Sequence, residues 1–283
     1  MSKLYLQNIV KDISFESLPI KWQGFDFRRF SKDKTLFKFQ KDALKNALTG
    51  LWLYFIDKKA NKQSFFEYYK LNGLQENFDY NLNRERKAAK FLLEYDKDYP
   101  VLDNKISFEH FINRMSFWMA TGSGKTLIIV KLIEFLGKLI TEKEIPECDI
   151  LFLSHRDDLL EQFKNHVEEF NSFNFDTRIN LKNLRDYESV KHENTIPFTK
   201  NEITVFYYRS DLISDEHKEK IVNFRNYDNN GKWYILLDEA HKGDKEESKR
   251  QILYSILSRN GFLFNFSATF TDPRDSATCV FDF

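Results

Sequence analysis

Cysteine is nearly absent from this sequence. Of 283 residues only Cys148 and Cys279 carry a thiol, far apart and without C-x-x-C spacing, which excludes a disulfide framework and offers no zinc pattern. That scarcity predicts a reducing compartment. An excess of charge is missing too: 43 Lys and Arg balance 43 Asp and Glu, so the chain is no polycation that coats nucleic acid in bulk, although a local basic groove stays possible. No apolar run reaches the roughly 18 residues of a membrane span. The opening Met-Ser-Lys-Leu-Tyr-Leu-Gln-Asn lacks the apolar core of a signal peptide, and neither a repeat nor a low-complexity linker is present. These absences predict a soluble, cytoplasmic protein with no membrane partner. Its length suits one large α/β domain or two small ones.

What is present centres on Met119-Ala120-Thr121-Gly122-Ser123-Gly124-Lys125-Thr126. An apolar run, Met115 to Trp118, precedes it, and a helix-like run, Leu127 to Leu136, follows. Strand, glycine-bearing turn and helix N-terminus in that order point backbone N–H groups at a common anion, with the helix dipole adding partial positive charge. Gly122 and Gly124 let the backbone wrap a polyphosphate; Lys125 can reach the outer phosphates and the Thr126 hydroxyl can ligate magnesium. The strict Walker pattern has Gly where this chain has Met119, so the match is to the looser T-G-S-G-K-T form.

Upstream, Ser14 to Phe39 is irregular and aromatic, and Gln40 to Phe55 reads as a helix from the spacing of Ala43, Leu44, Ala47, Leu48 and Leu51. Residues Asp57 to Phe111 are polar and helix-like and read as an insertion that projects from the body. Downstream the chain alternates in βα fashion, the signature of a parallel sheet covered by helices. Strands are expected at Ser116–Trp118, Ile150–Leu153, Val205–Tyr207, Tyr234–Leu237 and Leu263–Phe266, and helices at Asp157–Phe170, Asp215–Phe224 and Lys249–Leu257. The stretch between Asn171 and Glu202 carries no clear signal. His110, His166, His192 and His217 stand singly among polar residues and read as surface.

A second constellation follows the apolar run Trp233 to Leu237. Asp238-Glu239-Ala240-His241 would emerge at a strand's carboxyl edge, where ligands bind in open α/β sheets. There Asp238 can hold magnesium, Glu239 can polarise a water for in-line attack on a γ-phosphate, and His241 can report the loss of that phosphate.

With both constellations in the usual order, the chain resembles the first RecA-like domain of a superfamily 2 helicase of the DEAD/DEAH type, most similar to the motor part of type III restriction enzyme subunits. The resemblance implies an α/β RecA-like P-loop NTPase domain over residues 37–283, with helices on both faces of a parallel sheet, interrupted by a mainly helical insertion at 57–111 and preceded by an extension over 1–36. It implies ATP and Mg2+ as cofactors and DNA, double-stranded rather than RNA, as partner. It places motif I at Thr121 to Thr126, beginning beside Ala120, and motif II at Asp238 to His241. Motif III falls on Ser267-Ala268-Thr269, which in such motors couples hydrolysis to domain movement. Gln40 is similar to the glutamine that reads adenine. Ser154-His155-Arg156 is similar to motif Ia on the nucleic-acid backbone, although Pro-Thr is commoner where this chain has His155-Arg156, and Arg209 matches a later backbone-contacting loop.

Such motors sandwich ATP between two RecA-like domains, the second supplying arginines worth about 10³ to 10⁵ in rate. The sequence ends at Phe283, shortly past Thr269, and holds no segment assignable to that second domain or to a nuclease. The expectation is therefore an N-terminal fragment, a truncated reading frame or a split subunit, weakly active alone and completed by another polypeptide, with a methyltransferase or specificity subunit as a further partner. The alternative is a non-catalytic, ATP-gated docking module. A P-loop kinase or transporter-type ATPase is disfavoured, since neither places Asp-Glu-Ala-His and Ser-Ala-Thr at these strand ends.

Overall fold

The computed structural model describes residues 3–193, 202–216, 219–240 and 247–283. Seven parallel strands form its main sheet: β1 (Arg114–Trp118), β2 (Asp149–Ser154), β3 (Arg178–Asn183), β4 (Glu202–Arg209), β5 (Trp233–Asp238), β6 (Phe262–Ser267) and β7 (Cys279–Asp282). Their spatial order is β7-β1-β6-β5-β2-β4-β3. Every residue of β2, β5 and β6 is buried, as expected when helices cover both faces of a parallel sheet and each strand becomes a continuous apolar run.

The chain steps first one way across the sheet, from β1 to β2 and β3, then reverses through β4, β5 and β6. Right-handed crossovers place helices of opposite direction on opposite faces. On one face Lys125–Thr141 packs against both Lys38–Trp52 and Asp157–Phe173; Glu247–Leu257 packs with Lys87–Glu94 in a separate group. The amino-terminal residues belong to this body, because Phe25 and Phe27 set their rings on Phe135 of the helix behind the phosphate loop, at 4.3 and 5.3 Å between centroids.

Several expectations are corrected. The segment 57–111 does not project. Its regular structure is chiefly helical, Lys62–Leu71 and Lys87–Glu94, with a small antiparallel pair at Tyr80–Asn81 and Lys105–Ile106. Phe65, Tyr69, Phe91, Leu92, Tyr99 and Phe108 are buried, and the Tyr99 hydroxyl donates to the Ser255 carbonyl at 2.8 Å. Those aromatic side chains need cover, and the body supplies part of it, through Tyr54 against Phe65 and Phe224 against Phe91. No α-helix forms over the described part of Asp215–Phe224, where only Phe224 starts a short 3-10 turn that runs to Tyr227. Ile213–Ser214 instead pairs with Val222–Asn223, and Asp215 is drawn into an ion pair with Lys249 at 2.9 Å. His110 and His166 are partly buried, not surface; His192 is exposed, and His217 lies outside the described residues. Both cysteines are buried and free. Among the described residues no helix is long and apolar enough to cross a membrane.

Candidate nucleotide and nucleic-acid site

Because all seven strands run in one direction, the carboxyl ends of β1, β2, β4, β5 and β6 share one edge. The turn after β1 takes left-handed φ at Gly122 (80°) and Gly124 (78°), the conformation that only glycine adopts without strain. Gly124 caps the helix Lys125–Thr141, so the free N–H groups of its first turn face the loop. The Lys125 side chain is buried and its ammonium rests on loop carbonyls, 3.2 Å from Ala120 O and 3.4 Å from Met119 O. The buried Ser123 hydroxyl has no hydrogen-bond partner among the described residues. A loop with waiting donors and an ammonium held only by neutral carbonyls fits a polyphosphate.

Gln40 lies against this loop. Its Oε1 accepts from the Phe37 N–H at 2.9 Å and its Nε2 donates to the Ser123 carbonyl at 3.0 Å, so one buried amide caps the helix Lys38–Trp52 and braces the phosphate loop. One N–H and one lone pair remain on it for a base.

Register places the acidic residues. Phe266 of β6 pairs with Asp238 of β5, and Ser267 of β6 pairs with Trp118 of β1; β6 therefore separates the phosphate loop from the acidic strand end and touches both. The Met119 N–H donates to Ser267 O at 2.8 Å and the Ala240 N–H to Phe266 O at 3.0 Å. Ser267 and Thr269 form a tight turn in which the Thr269 N–H donates to Ser267 Oγ at 3.1 Å. Asp238 is buried, and burial pushes its carboxyl up to about 6, with the Lys125 ammonium opposing and Glu239 adding to the rise. Glu239 has a left-handed φ of 55°, a strained conformation of the kind concentrated at functional sites. His241 lies outside the described residues.

Magnesium fits these residues. A buried carboxylate whose charged form desolvation disfavours, and the Thr126 hydroxyl at the helix start, offer oxygen donors whose charge a hard cation would stabilise. Thr126 and Asp238 would hold it.

The proposed nucleic-acid residues occupy the same edge farther along. Arg156 is exposed and ion-paired with Asp158. Arg209 lies 2.9 Å from Asp157 and 2.7 Å from Asp211, and His155 sits between the buried end of β2 and Arg156. Sequence reasoning missed what lies beside them. A cavity of about 330 Å³ opens between the helix Asp157–Phe173 and the ends of β3 and β4, lined by Lys164, Arg185, Tyr207, Tyr208, Arg209 and Lys220 among others. Arg185 donates to Tyr208 Oη at 3.0 Å and to the Glu219 carbonyl. It has no carboxylate partner among the described residues. Sequence carried no sign of Arg185, because its position depends on β3 lying beside β4.

Phosphate loop, acidic strand end and Ser-Ala-Thr turn on adjacent parallel strands define a helicase-like P-loop ATPase motor of RecA-like fold. More particularly, the chain belongs to the family described as "Type III restriction enzyme, res subunit", whose model matches residues 34–272. No curated protein sequence matches it. Among solved structures it is similar to the UvsW helicase of bacteriophage T4, at 14% identity and a TM-score of 0.34 over 77% of this chain and 71% of that one. A second structure of T4 UvsW matches at 15% identity and a TM-score of 0.36, over 78% of this chain and 44% of that one.

Proposed function

We propose that this chain is the ATP-binding half of a DNA-dependent motor in a type III restriction-like system. The observation that carries this is the meeting of Lys125, Asp238 and Ser267 at neighbouring strand ends, with Asp238 buried and its carboxyl raised by burial. Lys125 moves from loop carbonyls to the outer phosphates, and the glycine turn and helix N-terminus hold the rest of the chain of phosphates. Magnesium, when bound, supplies charge neutralisation at the transferring phosphoryl group. Glu239 orients and deprotonates the attacking water, while Gln40 offers its remaining amide capacity to adenine. Ser267 and Thr269, hydrogen-bonded next to both phosphate loop and acidic strand end, relay the state of the pocket together with His241, which follows Ala240 in sequence. A second RecA-like unit, carried by a partner polypeptide, closes the pocket and accelerates hydrolysis, and a methyltransferase subunit selects the DNA. Duplex DNA lies along His155, Arg156 and Arg209. The setting is the cytoplasm.

Binding of a fluorescent ATP analogue tests the reading directly. Magnesium-dependent binding to the chain, abolished in Lys125→Ala, is expected. Equal affinity in Lys125→Ala would overturn the phosphate site.

A further inference from the structure

A second cavity lies at the end of the sheet opposite the phosphate loop, where the chain enters β6. Its volume is about 310 Å³ and its walls include Tyr54, Phe55, Ala60, Lys62, Asp98 and Arg259. Backbone geometry here is unusual twice over. The helix Lys38–Trp52 runs on into a π-helical turn at Leu53–Asp57, a form found mostly at functional sites. Lys59 and Ala60 then both take left-handed φ, 53° and 55°, although neither is glycine. Such residues cost on the order of 1 to 3 kcal/mol each and persist where the surroundings enforce them. Here the Lys58 N–H donates to Leu53 O at 2.9 Å and the Ala60 N–H to Tyr54 O at 2.8 Å. The strained turn sets Tyr54, Phe55 and Ala60 into one wall.

Charge in the cavity is uneven. Arg259 is satisfied, lying 2.9 Å from Asp98 and 2.5 Å from Asp228. Lys62 is not: its Nζ donates to the His110 carbonyl at 2.9 Å, and among the described residues no carboxylate lies within ion-pair distance. Lys97, exposed at the cavity's wall, likewise has no carboxylate within ion-pair distance among the described residues, so positive charge is left over beside two aromatic side chains, with Lys62 the ammonium set farther from solvent. We propose that this cavity binds a small aromatic monocarboxylate, its carboxylate on Lys62 and its ring against Tyr54 and Phe55. The two aromatic side chains call for a ring on the ligand, whereas a bare phosphate would leave them without an apolar partner. The volume, at the lower end for ligand pockets, suits a ligand of about one ring. Because Lys62 belongs to the 57–111 segment and Arg259 to the turn feeding β6, the ligand would bridge that segment and the motor sheet.

Binding should depend on pH. Burial pushes the Lys62 ammonium down to about 7; Asp98 pulls the other way, and Arg114 and Arg259 add to the fall. The remaining ionisable groups near it are His110, itself lowered by burial and paired with Glu109 at 3.3 Å, and Lys97 on the cavity wall. Between pH 6 and pH 8 the protonated fraction of Lys62 falls about tenfold, and affinity for the carboxylate should fall with it.

Calorimetric titration of the whole chain with benzoate tests this. One site is expected, about tenfold weaker at pH 8 than at pH 6. Lys62→Met should abolish it, and Lys62→Arg should keep it while removing the pH dependence. No binding at pH 6, unchanged binding in Lys62→Met, or equal binding of inorganic phosphate would overturn the proposal. Should Lys62→Met fail to fold, benzoate protection of Lys62 from acetic anhydride in the unaltered chain, read by peptide mass, decides instead. Absence of protection would sink the site.

Discussion

Asp238 sits where two requirements conflict. Burial disfavours its charge, yet a magnesium ligand must be charged. The conflict shows in its raised carboxyl, about 6 against an ordinary 3.8. With the folded value above the unfolded one, the folded chain holds an extra proton between about pH 4 and 6. The ionised carboxylate therefore costs stability above about pH 6, and the cost disappears below about pH 4. Asp238→Asn, neutral and nearly isosteric, should stabilise the nucleotide-free chain at pH 7 on the order of 2 kcal/mol while destroying magnesium-dependent nucleotide binding. Thermal melts with and without magnesium and nucleotide check both halves; an unchanged or lower melting temperature would mean that Asp238 is already compensated. At the neighbouring residue, Glu239→Gln keeps size and hydrogen bonding but loses the basic carboxylate. We expect near-normal nucleotide affinity and no phosphate release above background, and a matching loss of affinity would assign Glu239 a structural role.

At the scale of elements, the phosphate loop and the helix Lys38–Trp52 share one clasp. A Cβ at Gly124 would fall 2.5 Å from Gln40 Nε2, on a backbone at φ 78°, and Gln40 cannot swing aside without giving up two hydrogen bonds. Gly124→Ala should cost about 1 to 3 kcal/mol through strain and the lost hydrogen bonds and weaken nucleotide binding with it. Gln40→Ala should lose the brace without adding strain, so its stability loss should be smaller. Denaturant melts of the two variants separate these contributions. The strands illustrate what local pattern conveys. β2, β5 and β6 are buried on both faces and show as unbroken apolar runs. β3, Arg-Ile-Asn-Leu-Lys-Asn, is an edge strand whose polar residues guard an open side, and β7 follows a short helix; neither stood out. Similarly, Asp215–Phe224 read as a helix, but the ion pair of Asp215 with Lys249 and the pairing of Ile213–Ser214 with Val222–Asn223 claimed its ends.

For the whole molecule, zero net charge makes DNA binding a local affair. The arginines at the strand ends are matched by carboxylates, Arg156 by Asp158 and Arg209 by Asp157 and Asp211, whereas Arg185 has none among the described residues. We expect weak, sequence-indifferent binding with a log-log salt slope of roughly −2 to −4. Arg185→Ala should make that slope shallower by about one and Arg156→Ala by less, because phosphate contact at Arg156 competes with Asp158. Fluorescence anisotropy across a salt series measures this, and tight or salt-insensitive binding would point to a different recognition element.

The places of β1, β2, β4, β5 and β6 along the chain, the phosphate loop and the acidic strand end follow from local chemistry. Apolar runs need burial on two faces, glycines permit the turn, and a carboxylate after an apolar run marks the strand's carboxyl end. Those signals lie within a few consecutive residues, so the sequence alone determined them. Which strands become neighbours is decided by side chains far apart in sequence, and that adjacency puts Ser267 between the phosphate loop and Asp238. It also presses Gln40 onto Ser123, folds 57–111 back against the body, and leaves Arg185 and Lys62 without carboxylate partners among the described residues. Burial, ion pairing and the resulting pKa shifts depend on everything within a few ångströms, whatever its distance along the chain. Only the tertiary structure decides them.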